Sequence, residues 1–401
     1  MPDARLPDAP AAGPPPLPRL RGPGGRPLRV AHLTTVDMSL HLLLAAELRA
    51  DVEAGLETFA LSAPGPYVPQ IERLGVRHLA LPSLTRAWRP GRDLAAAGEL
   101  LAALRRLRPD VLHTHNPKTG VLGRVLGRLA GVPVLVNTCH GLWAQAHDPF
   151  VKRALVLGAE HVAARFSHAE LYQNAEDRAT LASTVPARRS RLVGNGIELA
   201  RFTADPADRA RIRAELKVAP GELLVGAVGR RVAEKGVAEF AAAARALAGR
   251  ARFVWIGPQD PDKPDAHRTD EDAVEFLGRR TDLPALYAAM DVFALPSYRE
   301  GFSRSAMEAA ASGLPMVLSD IRGCREIGRH DTELLLTPAG HPGALTAALD
   351  RLITDPELRA RLGAAARARA HLAFDQRAVA RISLETYAAV ARARHLPWRT
   401  V

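Results

Sequence analysis

Leu223-Leu224-Val225-Gly226-Ala227-Val228 is a short apolar run in the middle of a chain of 401 residues. Gly229-Arg230-Arg231-Val232-Ala233-Glu234-Lys235-Gly236 follows at once, a glycine-bounded turn that opens an alanine-rich helical stretch. An apolar run without alternation, closed by a glycine turn and a helix, is the signature of a parallel strand buried on both faces. Similar runs lie at 253–256, 274–277, 292–295, 316–318 and 333–336, each leading into a helix or a turn. The same alternation is present towards the N-terminus. It begins at Leu28-Arg29-Val30-Ala31-His32-Leu33 and continues at 58–61, 76–81, 111–113, 134–137 and 170–173. Helical patterns at 39–49, 93–108, 120–130 and 150–166 lie among these strands. Six strands before residue 190 and six after 220 are too many for one compact open sheet. The sequence therefore predicts an α/β protein built from two Rossmann-like, doubly wound parallel-sheet domains with a cleft between them.

Residues 1–27 are dominated by Pro, Gly, Ala and Arg and are expected to be a disordered tail. The first domain is expected over 28–200 and the second over 201–375, with the boundary in the polar stretch 199–221. The helical pattern of 376–401 comes after the last strand and could pack back on the first domain. Ligands of such sheets bind beyond the carboxyl ends of the strands, so the turns that follow the strands are the places to look for function.

Composition narrows the class. Hydrophobic residues make up 47% and charged residues 24%, as in a soluble globular protein. No apolar run approaches the ~20 residues needed to span a bilayer. The N-terminus lacks the apolar segment of a secretory signal, and two cysteines exclude a disulfide framework, so a cytoplasmic location is expected. The net charge is +11, and only five of the 54 basic residues are lysine. An arginine and alanine bias of this kind reads as composition. Its functional readings are an anionic membrane surface, a nucleic acid or a phosphorylated ligand. Aromatics amount to 5%, with no basic patch interleaved with them, which argues against nucleic acid.

The densest chemical signal is Pro296-Ser297-Tyr298-Arg299-Glu300-Gly301-Phe302-Ser303-Arg304-Ser305-Ala306-Met307-Glu308-Ala309, between a strand and a helix. Gly301 allows close backbone approach, and a helix start offers free N–H groups to phosphate or sugar oxygens. Glu300 and Glu308 suit adjacent hydroxyls, although Glu308 could simply pair with Arg304 one turn away. The second signal is the 229–236 turn, where Gly229, Arg230 and Lys235 make a diphosphate site without the spacing of a P-loop. Arg231 is expected to be more exposed than Arg230. In the first half, His113-Thr114-His115 and Asn137-Thr138-Cys139-His140-Gly141 follow strands. Their spacing matches no Cys/His zinc signature, and they are read as ordinary strand-end residues. Asp260-Pro261-Asp262 is read as a surface loop and not as a metal site.

Taken in order, these segments resemble the retaining glycosyltransferases of family 4, which have the GT-B architecture. The resembling features are Gly229-Arg230 with Glu234-Lys235-Gly236, the pair Glu300 and Glu308 eight positions apart, and Ala309-Ala310-Ala311-Ser312-Gly313-Leu314-Pro315. Asp320-Ile321-Arg322-Gly323-Cys324-Arg325-Glu326-Ile327 and Asn195-Gly196-Ile197 complete the series. The resemblance spans roughly residues 28–395. It implies a nucleotide-sugar donor held by the second domain. Arg230 and Lys235 would neutralise the diphosphate. Glu300 with Gly301, Phe302 and Ser303 would hold the sugar and phosphate, and Glu308 the ribose. His140 would lie across the cleft near the transferred sugar. Thr34-Thr35-Val36-Asp37-Met38-Ser39-Leu40 replaces the paired glycines of many members and resembles a subgroup linked to bacterial surface polysaccharides. Thr35, Asp37 and Lys118 become candidates for acceptor or phosphate contact.

The reading is a glycosyltransferase without a metal cofactor. It would move a sugar from a nucleotide diphosphate to a glycan or polyprenyl-linked acceptor, peripherally on an anionic inner membrane face. The segment 150–166 and Arg105, Arg106 and Arg108 are either the candidate membrane surface or helices packed on the sheet with a wet basic face. A polyanion-binding protein and a sugar-nucleotide epimerase on the same architecture are the alternatives.

Overall fold

The computed structural model describes residues 16–144, 148–260, 266 and 272–400. Residues 1–15 of the expected tail, and Asp262, lie outside them. The chain forms two units. One runs to Val193 and resumes at Gln376, and the other is Gly194–Asp375.

Among the described residues, the first unit holds a seven-stranded sheet. Its elements, with the short terminal strands, are β1 (Leu20–Arg21), β2 (Arg29–Val36), β3 (Glu57–Ala63), β4 (Arg77–Ala80), β5 (Val111–His115), β6 (Val134–Cys139), β7 (Ala169–Tyr172) and β8 (Ser190–Leu192). The sheet order is β4-β3-β2-β5-β6-β7-β8, and every pairing is parallel. The second unit has β9 (Leu224–Val228), β10 (Arg252–Ile256), β11 (Glu275–Gly278), β12 (Val292–Leu295), β13 (Met316–Ser319) and β14 (Leu335–Thr337). They are ordered β11-β10-β9-β12-β13-β14 and are likewise parallel. Both sheets are doubly wound, with the order reversing beside the first strand. The topological switch points lie between β2 and β5, and between β9 and β12, where ligands of such sheets bind.

Burial on both faces explains the unbroken apolar strands. In the second unit, Leu224, Val254 and Phe293 point to one apolar cluster, while Val225, Phe253 and Val292 point to the other. Alternate residues of one strand thus feed two cores, one under each layer of helices.

Three sequence expectations are corrected. The tail does not extend to residue 27. Leu20 and Leu28 are buried with Tyr387, β1 pairs antiparallel with β15 (Arg399–Thr400), and Arg26 grips Asp110 through two 2.7 Å contacts. Leucines spaced through a Pro/Gly-rich stretch are enough to anchor it to a core that is already built. The division also falls at residue 193 and not at 200. Ile197 is fully buried in the second unit's core, and its N–H donates to Phe374 O at 2.9 Å. The supposed polar boundary contains the helix Pro206–Glu215, fastened by Arg209 and Arg213 to Asp291. Finally, the helical pattern at 39–49 is two helices, Asp37–Leu43 and Ala45–Glu53, broken at Leu44. The helix Gln376–Ala393 packs on Ala45–Glu53 and β6, and so belongs to the first unit.

Candidate active site

In the second unit the chain leaves β9 at Val228 and makes one 3-10 turn over Ala233–Lys235. It passes through Gly236 at φ +76° and enters the helix Val237–Ala246. The segment after β12 runs alongside. Tyr298 N–H donates to Glu234 O at 2.9 Å, and Lys235 Nζ meets Glu300 Oε1 at 2.6 Å. The two loops are so close that a Cβ on Gly236 would stand 2.1 Å from Pro296 O. Gly323, after β13, lies against the other side, where a Cβ would be 2.5 Å from Glu300 O. Three loops at the carboxyl ends of β9, β12 and β13 therefore converge on Lys235 and Glu300, at the switch point.

Arg230 lies in the same turn. It is partly exposed, and its guanidinium pairs with Asp260 at 2.7 Å. Gly229 is held by Trp255, whose Nε1–H donates to Gly229 O at 2.9 Å. Gly257, at φ +149°, lets β10 pass this carbonyl, since a Cβ there would be 1.9 Å from it. The expectation for Arg231 is reversed. It is buried, with its guanidinium 3.7 Å from the centre of the Phe276 ring, so Arg230 is the outward cation.

Ser303 caps the helix Arg304–Ala311, its hydroxyl accepting from Ala306 N–H at 3.3 Å. Gly301 and Phe302 lead into that helix, and the Phe302 ring turns inward to stack edge-on against Phe374 at 5.7 Å. Glu308 is buried, with Arg304 Nε 3.0 Å from Oε1 and Tyr287 Oη 3.1 Å from Oε2. Burial pushes the Glu308 carboxyl up, and the Arg304 charge pulls it back. The pairing with Arg304 weighed at the sequence level is thus present.

In the first unit, a pocket of about 370 Å³ lies beyond β2 and β5, lined among others by Thr35, Ser39, Trp88, Asn116, Lys118 and Trp143. Sequence reasoning passed over Asn116. It adopts φ +65° and ψ 152°, a region nearly closed to residues with a Cβ, and its Oδ1 accepts from Thr35 N–H at 3.3 Å. Lys118 is buried and donates to Thr85 O at 2.8 Å and Ala87 O at 2.9 Å, and it pairs with Asp93. Asp37 accepts from Met38 N–H at 2.8 Å and from Tyr67 N–H at 2.6 Å. Lys118 and Asp37 therefore pin the loops around the pocket, and Thr35 reaches its wall. His140, just beyond β6, is half-buried. Its Nε2 is 2.9 Å from His115 Nδ1, and burial pulls its imidazole down to about 4 against an opposing hydrogen bond with Gln173.

Both units match known sequence families. Residues 40–196 match a glycosyl transferase 4-like domain, and residues 222–355 match the glycosyl transferases group 1 domain. The chain is 33% identical over 403 residues to a D-inositol 3-phosphate glycosyltransferase of Salinispora arenicola, covering 87% of this chain and 90% of that protein. The chain belongs to glycosyltransferase family 4. A second relative of this glycosyltransferase is the UDP-Gal:alpha-D-GlcNAc-diphosphoundecaprenol alpha-1,3-galactosyltransferase of Escherichia coli. It is 28% identical over 296 residues, covering 71% of this chain and 76% of that one. Anabaena HepE, solved with UDP and glucose, superposes with a TM-score of 0.75 at 20% identity, over 90% of this chain and 99% of its own. That likeness places the family 4 enzyme in the GT-B fold.

Proposed function

We propose that this glycosyltransferase moves a sugar from a nucleoside diphosphate to a hydroxyl of a lipid-linked glycan, with retention at the anomeric carbon. The convergence of Lys235, Glu300 and Arg230 at the β9/β12 switch point carries the reading. As the bond from the sugar C1 to the diphosphate oxygen breaks, negative charge grows on the diphosphate and positive character on the sugar. Lys235 and Arg230 answer the first as fixed cations, and Glu300 holds the hydroxyls of the second. The acceptor oxygen bonds to C1 on the face the diphosphate leaves, and its proton passes to the departing phosphate oxygen. With these cations supplying the compensation, the transfer step draws on no bound magnesium or manganese.

The acceptor class follows from the E. coli relative, whose name specifies a diphosphoundecaprenol-linked sugar. The Thr35, Trp88 and Trp143 pocket offers aromatic faces of the kind that stack on sugar rings. A panel of nucleotide sugars with a synthetic polyprenyl-diphosphate-linked sugar, read by NMR of the product, tests the assignment. An α-linked product from an α-linked donor is expected. Hydrolysis alone, or an inverted linkage, overturns it.

The same reading extends to a peripheral position on the inner face of the membrane. No described helix is long and apolar enough to cross a membrane. The helix Phe150–Ala163 instead shows solvent Phe150 at 83% and Leu155 at 70% exposure, beside Lys152 and exposed Arg153. Each well-placed cation contributes up to ~1 kcal/mol on an anionic surface. Binding to vesicles should rise with anionic lipid and fall with salt. It should weaken when Lys152, Arg153, Arg105 and Arg106 are neutralised, and equal binding to neutral vesicles contradicts it.

A further inference from the structure

The centre of the first unit's sheet carries an unusual concentration of ligating side chains. His32 on β2 and His113 on β5 are register partners, and His115 lies two residues on, on the same face. Glu47 and Asp51, one turn apart on Ala45–Glu53, face them. His32, His113 and His115 are buried. One ligand atom from each of His32, Glu47, His113 and His115 lies within 4.8 Å of the others. His32 Nδ1 is 3.1 Å from His115 Nε2, and His113 Nδ1 is 3.4 Å from Glu47 Oε1. Those two separations are close to the length of a tetrahedral edge around an ion bound at ~2.0–2.1 Å.

Two further observations point the same way. The far nitrogen of each imidazole already has a partner: His32 Nε2 has Asp51 at 2.7 Å, His113 Nε2 has Thr138 Oγ1 at 2.7 Å, and His115 Nδ1 has His140 Nε2 at 2.9 Å. Outer partners of this kind fix the ring and tautomer of metal-binding histidines. In addition, Glu47 Oε1 and Asp51 Oδ1 are buried without a hydrogen bond, and the ion pairs of the two carboxylates among the described residues are with histidines. A divalent cation would balance both negative charges.

We infer that His32, His113, His115 and Glu47 bind a divalent first-row transition metal, zinc by ligand type, in a closed structural site. Three neutral imidazoles, one ligating carboxylate and Asp51 behind them leave the site neutral. The ion ties the helix Ala45–Glu53 to the two strands that flank the switch point. It also acts on His140. With the metal on His115 Nε2, the proton of that ring is confined to Nδ1 and donates to His140 Nε2. A neutral His140 then carries its own proton on Nδ1. This differs from the expectation that the histidines are ordinary strand-end residues, and it is independent of the donor diphosphate, since all four ligands belong to the first unit. Tyr387 Oη lies 2.7 Å from His113 Nδ1 and must turn aside for the ion.

The test uses the full chain without a histidine tag, incubated with zinc and passed through a desalting column. Elemental analysis should give about one metal per chain. A strong chelator should lower Tm, zinc should restore it, and cobalt should give the visible absorption of a four-coordinate site. Glu47→Gln should lose most of the metal, whereas Tyr387→Phe, which removes the competing hydroxyl, should retain it. If wild-type protein holds less than about a tenth of an equivalent, and its Tm ignores both zinc and chelator, the cluster is a hydrogen-bonded histidine row and the inference is overturned.

Discussion

Lys235 Nζ sits 2.6 Å from Glu300 Oε1, joining the turn after β9 to the turn after β12. The ion pair brings together the cation for the diphosphate and the carboxylate for the sugar, and holds both in place before chemistry begins. Glu300→Gln keeps the shape but removes the charge. It should lower transfer by about a hundredfold, the scale of losing one preorganised electrostatic contact. Nucleoside diphosphate affinity should be retained or improved, because Lys235 is released. Calorimetry beside steady-state kinetics separates the two effects.

Gly236 should tolerate no side chain. Its φ of +76° and the 2.1 Å approach of Pro296 O leave an added Cβ nowhere to go. Gly236→Ala should destabilise the second unit by at least about 1–3 kcal/mol, the range for a residue forced into a sparse backbone region. Urea unfolding measures this, and an unchanged midpoint would show that the two loops are not in contact.

Asn116 occupies a backbone region that glycine enters freely. Asn116→Gly should therefore be more stable than Asn116→Ala by about 1 kcal/mol or more, reversing the usual order of these residues. Both should lose activity through the missing contact with Thr35. Equal stability of the two variants would remove the strain from the account.

His168 sets a pH dependence of stability. Its Nδ1 accepts from Leu135 N–H at 2.8 Å. Burial, together with Arg394, Arg128 and Arg189, pulls its pKa from 6.5 down to about 4. Between those values the unfolded chain binds a proton that the folded chain refuses, so stability rises with pH across the window and is lost as pH falls through it. His168→Asn keeps an acceptor without titrating. Denaturant midpoints of this variant should show a flatter slope over the same window, and an identical slope would assign the effect to other groups.

Much of the fold was legible because burial on both faces leaves a strong mark. The strands of the second sheet appear in the sequence mostly as apolar runs, and those of the first as apolar runs with polar residues among them. What escaped notice was short or assembled from afar. β8 has three residues and β1 two, too few for any periodicity. The donor turn was readable because Gly229 to Gly236 is contiguous. The histidine cluster was not, since His32, Glu47, His113 and His115 are brought together only by strand register and a helix laid over it. Its local signals were the His113-x-His115 spacing on a strand and the Glu47-x3-Asp51 spacing on a helix. Arg231 was misjudged because the turn's local sequence says nothing of Phe276, which covers its guanidinium.

The central claim is that Lys235 and Arg230 stabilise a departing nucleoside diphosphate. The most direct measurement is the initial rate of sugar transfer to a polyprenyl-diphosphate-linked acceptor by wild type, Lys235→Ala and Arg230→Ala, in buffer without added divalent metal. The account predicts robust wild-type turnover, and a loss in kcat of about two to three orders of magnitude for Lys235→Ala. A smaller loss is expected for the more exposed Arg230→Ala. Near wild-type rates in both variants, or turnover that appears only when magnesium or manganese is supplied, would contradict it.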